Sequence, residues 1–443
     1  MLKQEALRKE LTVVILAAGV GSRMMSDIPK AMQIVGNFYL IEHLILKAKK
    51  LNPFKIVVVI YQGNLELEKI ILSYGAEFVY QKERLGTANA VLAAKEFIQP
   101  KDGFVLILYV DTPLIDDYVL NVMVENISNN DVENKVIMGI LAFEKIEKNT
   151  YGKILEKNGN AIKIIEDKDC NDLERKIKIC NSGIVIFKQQ YILEILEKIN
   201  NNNKQNEYYL TDSVEIVNNM GKFCKLFIDD VKNLEGINTK LELMNVEGNF
   251  QNQKRQELMN KGVNFVDAKT VYLSLDTEIG KNTIVEPFVI ILRNVKICDN
   301  VKVLGFSHLE GVEIKEGASV GPYARIRPNT IIGESSKIGN FVEIKQSNIG
   351  SKTKVNHLSY VGDSTIYNNV NVGAGVITCN YDGKNKHKTI IGENSFIGSN
   401  SALVAPVEIG KNSLIAAGSV ITEDVLEGNL AIARSRQINK KRK

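Results

Sequence analysis

The residues most able to do chemistry fall in two places. The first follows an apolar run near the N-terminus: Leu16-Ala17-Ala18-Gly19-Val20-Gly21-Ser22-Arg23-Met24, trailed by Asp27-Ile28-Pro29-Lys30. Small residues let a backbone approach a phosphate chain, and turned amide groups make an anion-binding concavity. Arg23 and Lys30 would add positive charge against a triphosphate. Met24 stands where a dinucleotide fingerprint needs its third glycine, and no Gly-Lys-Ser/Thr follows to make a P-loop. Taken alone, the loop is as well read as a plain turn. Asp111 directly follows another apolar run, where a carboxylate can hold a hard cation or cap a turn. The second place is Lys354-Val355-Asn356-His357-Leu358-Ser359-Tyr360, which contains one of four histidines (His43, His308, His357, His387). Imidazole suits proton transfer near neutral pH. A lone histidine beside a core column is nevertheless more often structural.

The elements that would position these residues differ between the two halves. From about residue 12 to 240, β-rich runs alternate with helical patterns. Thr12–Leu16, Lys55–Ile60, Glu77–Tyr80 and Phe104–Tyr109 read as strands, and Leu40–Lys50, Leu65–Ser73 and Thr87–Phe97 as helices. Continuous apolar strands separated by helices predict an α/β, doubly wound, mainly parallel, Rossmann-like sheet. Ligands bind such sheets beyond the carboxyl ends of the strands, where both the loop and Asp111 fall. Residues 200–206 (NNNNKQN) read as a polar surface loop, and 239–262 as a helical linker.

After about residue 276 aliphatic residues recur every six positions: Ile314, Val320, Ile326, Ile332, Ile338, Ile344, and again Ile391, Ile397, Leu403, Ile409, Ile415, Ile421. That period fits neither an α-helix nor an ordinary strand; it fits a parallel β-helix of hexapeptide repeats. Ile344 to Ile349 and Val361 to Ile366 each lose one residue, which a turn can absorb. Thr378 to Ile391 is longer than two hexads, so residues 379–390 are expected to leave the coil as a loop. The expected division is a first domain over 1–238, a linker over 239–262, and a β-helix over 263–443.

Composition narrows the class. The 443 residues are 44% hydrophobic and 24% charged, the balance of a soluble globular protein of two or three domains. The net charge of +4 owes much to the C-terminal residues 434–443 (RSRQINKKRK), which read either as a solvated tail or as a partner for a phosphate-bearing ligand. Nothing else suggests nucleic acid. Five scattered cysteines without a CxxC pair encode neither a disulfide framework nor a zinc site. No segment has the length and apolarity of a membrane span, and the reading is a cytoplasmic protein.

Further segments point to one family. Gln81-Lys-Glu-Arg-Leu-Gly-Thr87, Tyr109-Val-Asp111, Tyr151-Gly152, Glu166-Asp-Lys168, Asn181-Ser-Gly183, Glu207-Tyr-Tyr-Leu-Thr-Asp212 and Glu235-Gly-Ile-Asn238 follow the first loop in order. The loop and its Pro-Lys pair resemble the signature of sugar-1-phosphate nucleotidyltransferases. With the hexads, and with Asn356-His357-Leu358-Ser359-Tyr360-Val361-Gly362-Asp363, nearly the whole chain resembles the bacterial bifunctional N-acetylglucosamine-1-phosphate uridyltransferases/glucosamine-1-phosphate acetyltransferases. The resemblance implies UTP bound by Leu16, Ala17, Ala18, Gly19, Arg23 and Lys30, with Gln81, Gly86 and Thr87 on uracil and ribose. It implies N-acetylglucosamine-1-phosphate on Gly152, Glu166, Asn181 and Asn238, and Mg²⁺ on Asp111 and Asn238. In the second half it makes His357 the general base, and places Arg327, Lys345, Tyr360, Asn371 and Lys386 on glucosamine-1-phosphate. Acetyl-CoA would meet Ala374 (whose amide would stabilise the oxyanion), Asn380, Tyr381, Ser399, Ala417 and Arg434. A left-handed coil and a homotrimer are implied as well.

The chain departs from that pattern at Val110, where the family usually has glycine, and at Ala88-Asn89, where Gly-His is common. Two other readings follow. One is a single-activity nucleotidyltransferase whose β-helix only oligomerises, which would have no need of His357 and Lys386. The other is a non-catalytic scaffold, which would be free to lose Arg23, Lys30, Asp111 and Asn238.

Overall fold

The computed structural model describes residues 10–442, apart from 20, 99–101, 130–134 and 148. Val20 of the first loop, the opening nine residues and Lys443 of the basic tail thus lie outside the described residues. The chain divides into two units, Met1–Phe250 and Gln251–Lys443. The border falls inside one helix, Lys240–Asn260.

The first unit is built on a nine-stranded sheet. Its order is Glu77–Tyr80, Lys55–Ile60, Leu11–Leu16, Phe104–Tyr109, Ile179–Lys188, Val136–Glu144, Phe223–Asp229, Asn160–Ile165, Lys153–Lys157. The first four strands are parallel. Leu11–Leu16 is buried at every position, as a strand covered on both faces must be. Helices Leu40–Lys50, Leu65–Ser73 and Thr87–Ala93 connect these strands. The helix expected over Thr87–Phe97 stops at Ala93, because Ala94 leaves the α conformation and Lys95–Phe97 tightens into a 3-10 turn. Beyond Phe104–Tyr109 the sheet turns mixed: Ile179–Lys188 runs antiparallel to both neighbours, and Lys153–Lys157 with Asn160–Ile165 forms a hairpin at the edge.

The second unit winds three sheets of ten, eight and eight short parallel strands into a β-helix. The hexad aliphatics from Ile314 to Ile344 and from Ile391 to Ile421 all point inward, none more than 4% exposed. Each such side chain contributes about 2 kcal/mol of burial, stacked into one continuous column. Between them the backbone turns through left-handed corners, with φ near +60° at Asn282, Asn294, Asn300, Asn329 and Asn394. Asparagine tolerates that conformation better than other non-glycine residues, which is why it recurs between the aliphatics.

The two short hexads keep the ladder in step: Ile332 pairs with Ile349, and Ile349 with Ile366. The excursion from the coil is narrower than the sequence suggested. Cys379 still pairs with Val404, and Thr389 with Val407, so the loop comprises 380–388 rather than 379–390. Thr389 is fully buried, which holds it on the ladder.

Candidate active sites

In the first unit the marked residues gather at the carboxyl ends of the parallel strands. A cavity of about 230 Å³ is lined by Leu16, Ala18, Gly19, Lys30, Gln81, Gly86, Thr87 and Asp111, together with Arg84, Tyr109, Val110 and Glu207. Ala17, buried on the strand end, donates its amide to the Val59 carbonyl at 2.8 Å. Gly86 sits at φ +116°, where a β-carbon would meet the Tyr208 carbonyl oxygen at 2.5 Å, so only glycine lets this turn close. The Thr87 hydroxyl accepts from the Leu210 amide at 2.9 Å. Gln81 is buried, and its amide nitrogen donates to Asn89 Oδ1 at 2.8 Å and to the Gly86 carbonyl at 3.2 Å. Asn89 thus orients Gln81, a task its place in the sequence did not announce.

The cation chemistry centres on Lys30. Its ammonium lies 2.6 Å from Asp111 Oδ2 and 3.0 Å from Asn238 Oδ1, and Arg23 donates to the same Asn238 oxygen at 2.9 Å. Asp111 and Asn238 are held together because the Ile237 amide donates to the Asp111 carbonyl at 3.0 Å. Two hard oxygens therefore already converge on one cation. This donor set fits Mg²⁺, whose remaining positions waters and phosphates normally fill.

A second group lies beside the first in the same unit. The Asn181 amide donates to the Gly152 carbonyl at 2.9 Å, and a β-carbon on Gly152 would lie 3.5 Å from Glu166 Oε2. Burial pushes the Glu166 carboxyl above its ordinary range, partly opposed by a 3.0 Å hydrogen bond from Thr211. Tyr109 links the groups: its ring packs against Gly183, and its hydroxyl hydrogen-bonds to Thr87 while burial raises its pKa. Tyr151 closes the far side, its hydroxyl accepting from the Gly236 amide at 3.0 Å and pushed up to about 12 by burial.

Val110 keeps an ordinary backbone conformation and donates its amide to the Leu16 carbonyl at 3.1 Å. Its side chain is 5% exposed and forms part of the cavity wall. The substitution therefore strains nothing; it fills space where the family usually has a glycine.

In the second unit the residues that the motifs mark are ordered by the coil itself. Asn340 and His357 are paired in register. Upward from there, each corner carbonyl accepts from the next coil: Asn340 from Leu358 at 3.1 Å, His357 from Gly375 at 3.1 Å, Ala374 from Asn400 at 2.7 Å, and Ser399 from Gly418 at 2.8 Å. Asn340, His357, Ala374, Ser399 and Ala417 thus stand one above another. Arg434 completes the series with a 2.8 Å bond from its guanidinium to the Ala417 carbonyl. His357 is exposed, its ring nitrogen Nδ1 2.9 Å from Asn340 Oδ1.

The neighbouring face carries Arg327, 2.9 Å from Glu343, and Lys345, 3.9 Å from Asp363. Arg327 and Lys345 lie on adjacent coils, where the Arg327 amide donates to the Ile344 carbonyl. Asp363 also accepts from Asn380, which in turn hydrogen-bonds to the Tyr360 hydroxyl. Glu343, which no motif marks, and Asp363, which closes the run around His357 without an assigned role, are therefore the charged partners; a carboxylate one coil away from each marked cation was the available signal. Asn371 sits on the ladder against Lys354, and Lys386 and Tyr381 are exposed on the 380–388 loop. That loop is tied by His387 to Asp382 at 2.7 Å, and by the Lys384 and Asn385 amides to the same carboxylate. These bonds hold the Asp382 carboxyl well below its usual range. His43, by contrast, is buried and bonded to the Val35 carbonyl, a structural histidine.

A larger groove of about 880 Å³ runs along the face from Glu278 to Asn368 and contains none of these residues. Its charges are mixed and partly paired, as in Lys315 with Glu313 at 2.7 Å, so size alone does not make it the reactive site.

Residues 13–139 match the MobA-like NTP transferase domain, 388–423 the hexapeptide repeat of succinyl-transferase, and 308–394 the GMPPB C-terminal domain. Over 435 residues the chain is 42% identical to the bifunctional protein GlmU of Zymomonas mobilis, covering 98% of this chain and 96% of that one. The GlmU of Bartonella bacilliformis is 42% identical over 96% of this chain and 94% of its own. That of Wolbachia pipientis is 42% identical over 98% and 99%. The chain belongs to the bifunctional GlmU family. It is an enzyme of UDP-N-acetylglucosamine synthesis, with uridyl transfer in its first unit and acetyl transfer in its second, a left-handed β-helix. The single-activity and scaffold readings fall with that assignment. A solved structure of a putative glucose-1-phosphate thymidylyltransferase from Bacillus anthracis is 19% identical and covers 54% of this chain and 94% of its own, with a TM-score of 0.43, too slight a likeness to argue from. No described helix is long and apolar enough to cross a membrane.

Proposed function

We propose that the two constellations are the two active sites, and that a cytoplasmic homotrimer uses them in sequence. One observation carries the reading: residues that the motifs mark, far apart in the chain, stand together in space, most plainly in the column from His357 to Ala417. Coils in such a stack lie about 4.8 Å apart, so this column suits the extended arm of a coenzyme.

In the acetyl-transfer site, Arg327, Lys345, Tyr360, Asn371 and Lys386 hold glucosamine-1-phosphate by its phosphate and hydroxyls. His357 takes the proton of the attacking amine as the carbon–nitrogen bond forms, and the Ala374 amide receives the developing oxyanion. Asn380, Tyr381, Ser399, Ala417 and Arg434 hold acetyl-CoA, the last beside its phosphates. In the uridyl-transfer site, the backbone from Leu16 to Gly19 meets the UTP phosphates while Gln81, Gly86 and Thr87 hold uracil and ribose. Gly152, Glu166, Asn181 and Asn238 orient N-acetylglucosamine-1-phosphate. That phosphate is already an anionic nucleophile, so the site needs alignment and charge neutralisation rather than a general base. Arg23 and Lys30 supply positive charge as pyrophosphate leaves. Asp111 and Asn238 would hold Mg²⁺, which when bound offsets phosphate charge.

The test supplies the full-length protein with acetyl-CoA, glucosamine-1-phosphate, UTP and Mg²⁺ and follows CoA and pyrophosphate separately. CoA should appear first and without UTP; pyrophosphate should require both UTP and the metal. Pyrophosphate formed directly from glucosamine-1-phosphate, before any CoA, would overturn the order. Light scattering on the same protein should give the mass of three chains, and a monomer would remove the trimer.

A further inference from the structure

We propose that Asn340 is a positioning residue that fixes the tautomer of His357. The inference rests on the reading of His357 as the base of acetyl transfer.

Asn340 ends the strand Lys337–Asn340, and His357 ends the strand Lys354–His357 on the next coil, in register with it. The two coils cannot slide. The Leu358 amide donates to the Asn340 carbonyl at 3.1 Å, and a β-carbon on Gly339 would fall 1.8 Å from the Asn356 carbonyl oxygen. Against this fixed backbone, Asn340 Oδ1 lies 2.9 Å from His357 Nδ1. An amide oxygen only accepts, so the imidazole proton belongs on Nδ1 and the lone pair on Nε2. Among the described residues no charged side chain bonds the ring. Ser359 and Gly375 reach His357 at its backbone carbonyl and not at its ring.

The reaction needs that arrangement. The sugar amine attacks the thioester carbonyl, a carbon–nitrogen bond forms, and Nε2 takes the amine proton. The tetrahedral species then collapses with cleavage of the carbon–sulfur bond. The departing sulfur receives the Nε2 proton as CoA thiol, returning the ring to its Nδ1–H form. An imidazole protonated on Nε2 at the outset cannot begin this cycle. A neutral acceptor orients the ring without placing a charge beside it.

The test compares Asn340→Leu and Asn340→Asp with the wild type in the full-length protein. With four histidines, and the His357→Ala spectrum for assignment, nitrogen NMR reads the His357 tautomer directly. The wild type should carry its proton on Nδ1. Asn340→Leu should populate both tautomers and lose roughly ten- to a hundredfold in kcat for acetyl transfer, the scale on which the orienting partners of metal-bound histidines act. Asn340→Asp should keep the tautomer and most of kcat, with the acidic limb of the kcat/KM profile displaced to higher pH. A wild-type proton on Nε2, or Asn340→Leu with unchanged kcat and tautomer, overturns the proposal. An Asn340→Asp variant as impaired as Asn340→Leu at every pH also overturns it. Should Asn340→Leu fail to fold, the wild-type spectrum and Asn340→Asp still decide. If His357→Ala retains acetyl transfer, the reading of the base has failed instead, whichever nitrogen carries the proton.

Discussion

The two sites are assembled by opposite means. In the first unit each group arrives from a different local device: Lys30 from a 3-10 turn, Asp111 from just beyond a strand, Asn238 from just before a long helix. Their geometry is set by side chains reaching for one another, as Lys30 does for two oxygens. In the second unit the backbone does the gathering. A residue's neighbour is whichever residue stands one coil away, and the His357 column follows from backbone hydrogen bonds between successive coils. The sheet site can therefore carry a larger wall residue without backbone strain, as it does at Val110, whereas the coil site depends on register.

If the two sites are independent, breaking one should leave the other intact. His357→Ala should lower acetyl transfer by about 10²- to 10⁴-fold, the contribution of a general base, with uridyl transfer unchanged. Asp111→Ala should cost uridyl transfer about a thousandfold, equivalent to several kcal/mol of lost charge stabilisation, and spare acetylation. Separate assays of CoA and pyrophosphate check both, and a variant that is folded yet loses both activities breaks the comparison.

A subtler break is Lys30→Met. If the ammonium neutralises phosphate charge as proposed, uridyl transfer should fall roughly 10²- to 10³-fold. The same ammonium occupies the point where Asp111 and Asn238 converge. Mn²⁺ binding to the nucleotide-free variant, followed by electron paramagnetic resonance, should therefore tighten. Weaker Mn²⁺ binding would show that Lys30 helps to shape the metal seat rather than filling it.

What was legible in the sequence follows the same division. The hexad period gave the β-helix, because an inward Ile every six residues has no other use, and the short hexads were readable as turns. The parallel strands to Tyr109 were legible as apolar runs. The antiparallel far side was not, because Lys153–Lys157 and Asn160–Ile165 form an edge hairpin with exposed positions and little apolar continuity. The loop limits were misjudged at Cys379 and Thr389, whose pairing depends on strands of the following coil. Residues that act on other residues were the least visible. Glu343 and Asn340 carry no motif of their own, Asn89 and Asp363 stand in motif runs without an assigned role, and only adjacency across a coil or a turn gives them a task.

Val110→Gly sharpens the contrast from the other direction. Removing an isopropyl group from the cavity wall should open space without disturbing the backbone, which has no strained conformation to relieve. Uridyl-transfer KM should change severalfold, while the acetyl-transfer constants stay fixed. Loss of a buried valine should also lower the stability of the first unit by about 2 kcal/mol, visible as a lower denaturant midpoint.

The smallest effect concerns Asp212, which stands beside the Thr211 hydroxyl that holds Glu166. Burial, followed by the nearby Glu215 carboxylate, raises the Asp212 carboxyl to about 6, and Lys163 opposes the rise. A carboxyl raised on folding contributes stability that is fully present below its ordinary value near 4. That stability is lost as the pH climbs through 6, where the folded protein must carry a half-buried charge. Asp212→Asn should therefore melt with the wild type at pH 4 and a few degrees, about 2–4 °C, above it at pH 7.5. The coil unit contains no part of this cluster, so its own transition should stay in place at both pH values. Equal melting of variant and wild type at pH 7.5 would mean that water solvates the carboxylate well enough to cancel the burial, and that the sheet site tolerates charge as readily as it tolerates Val110.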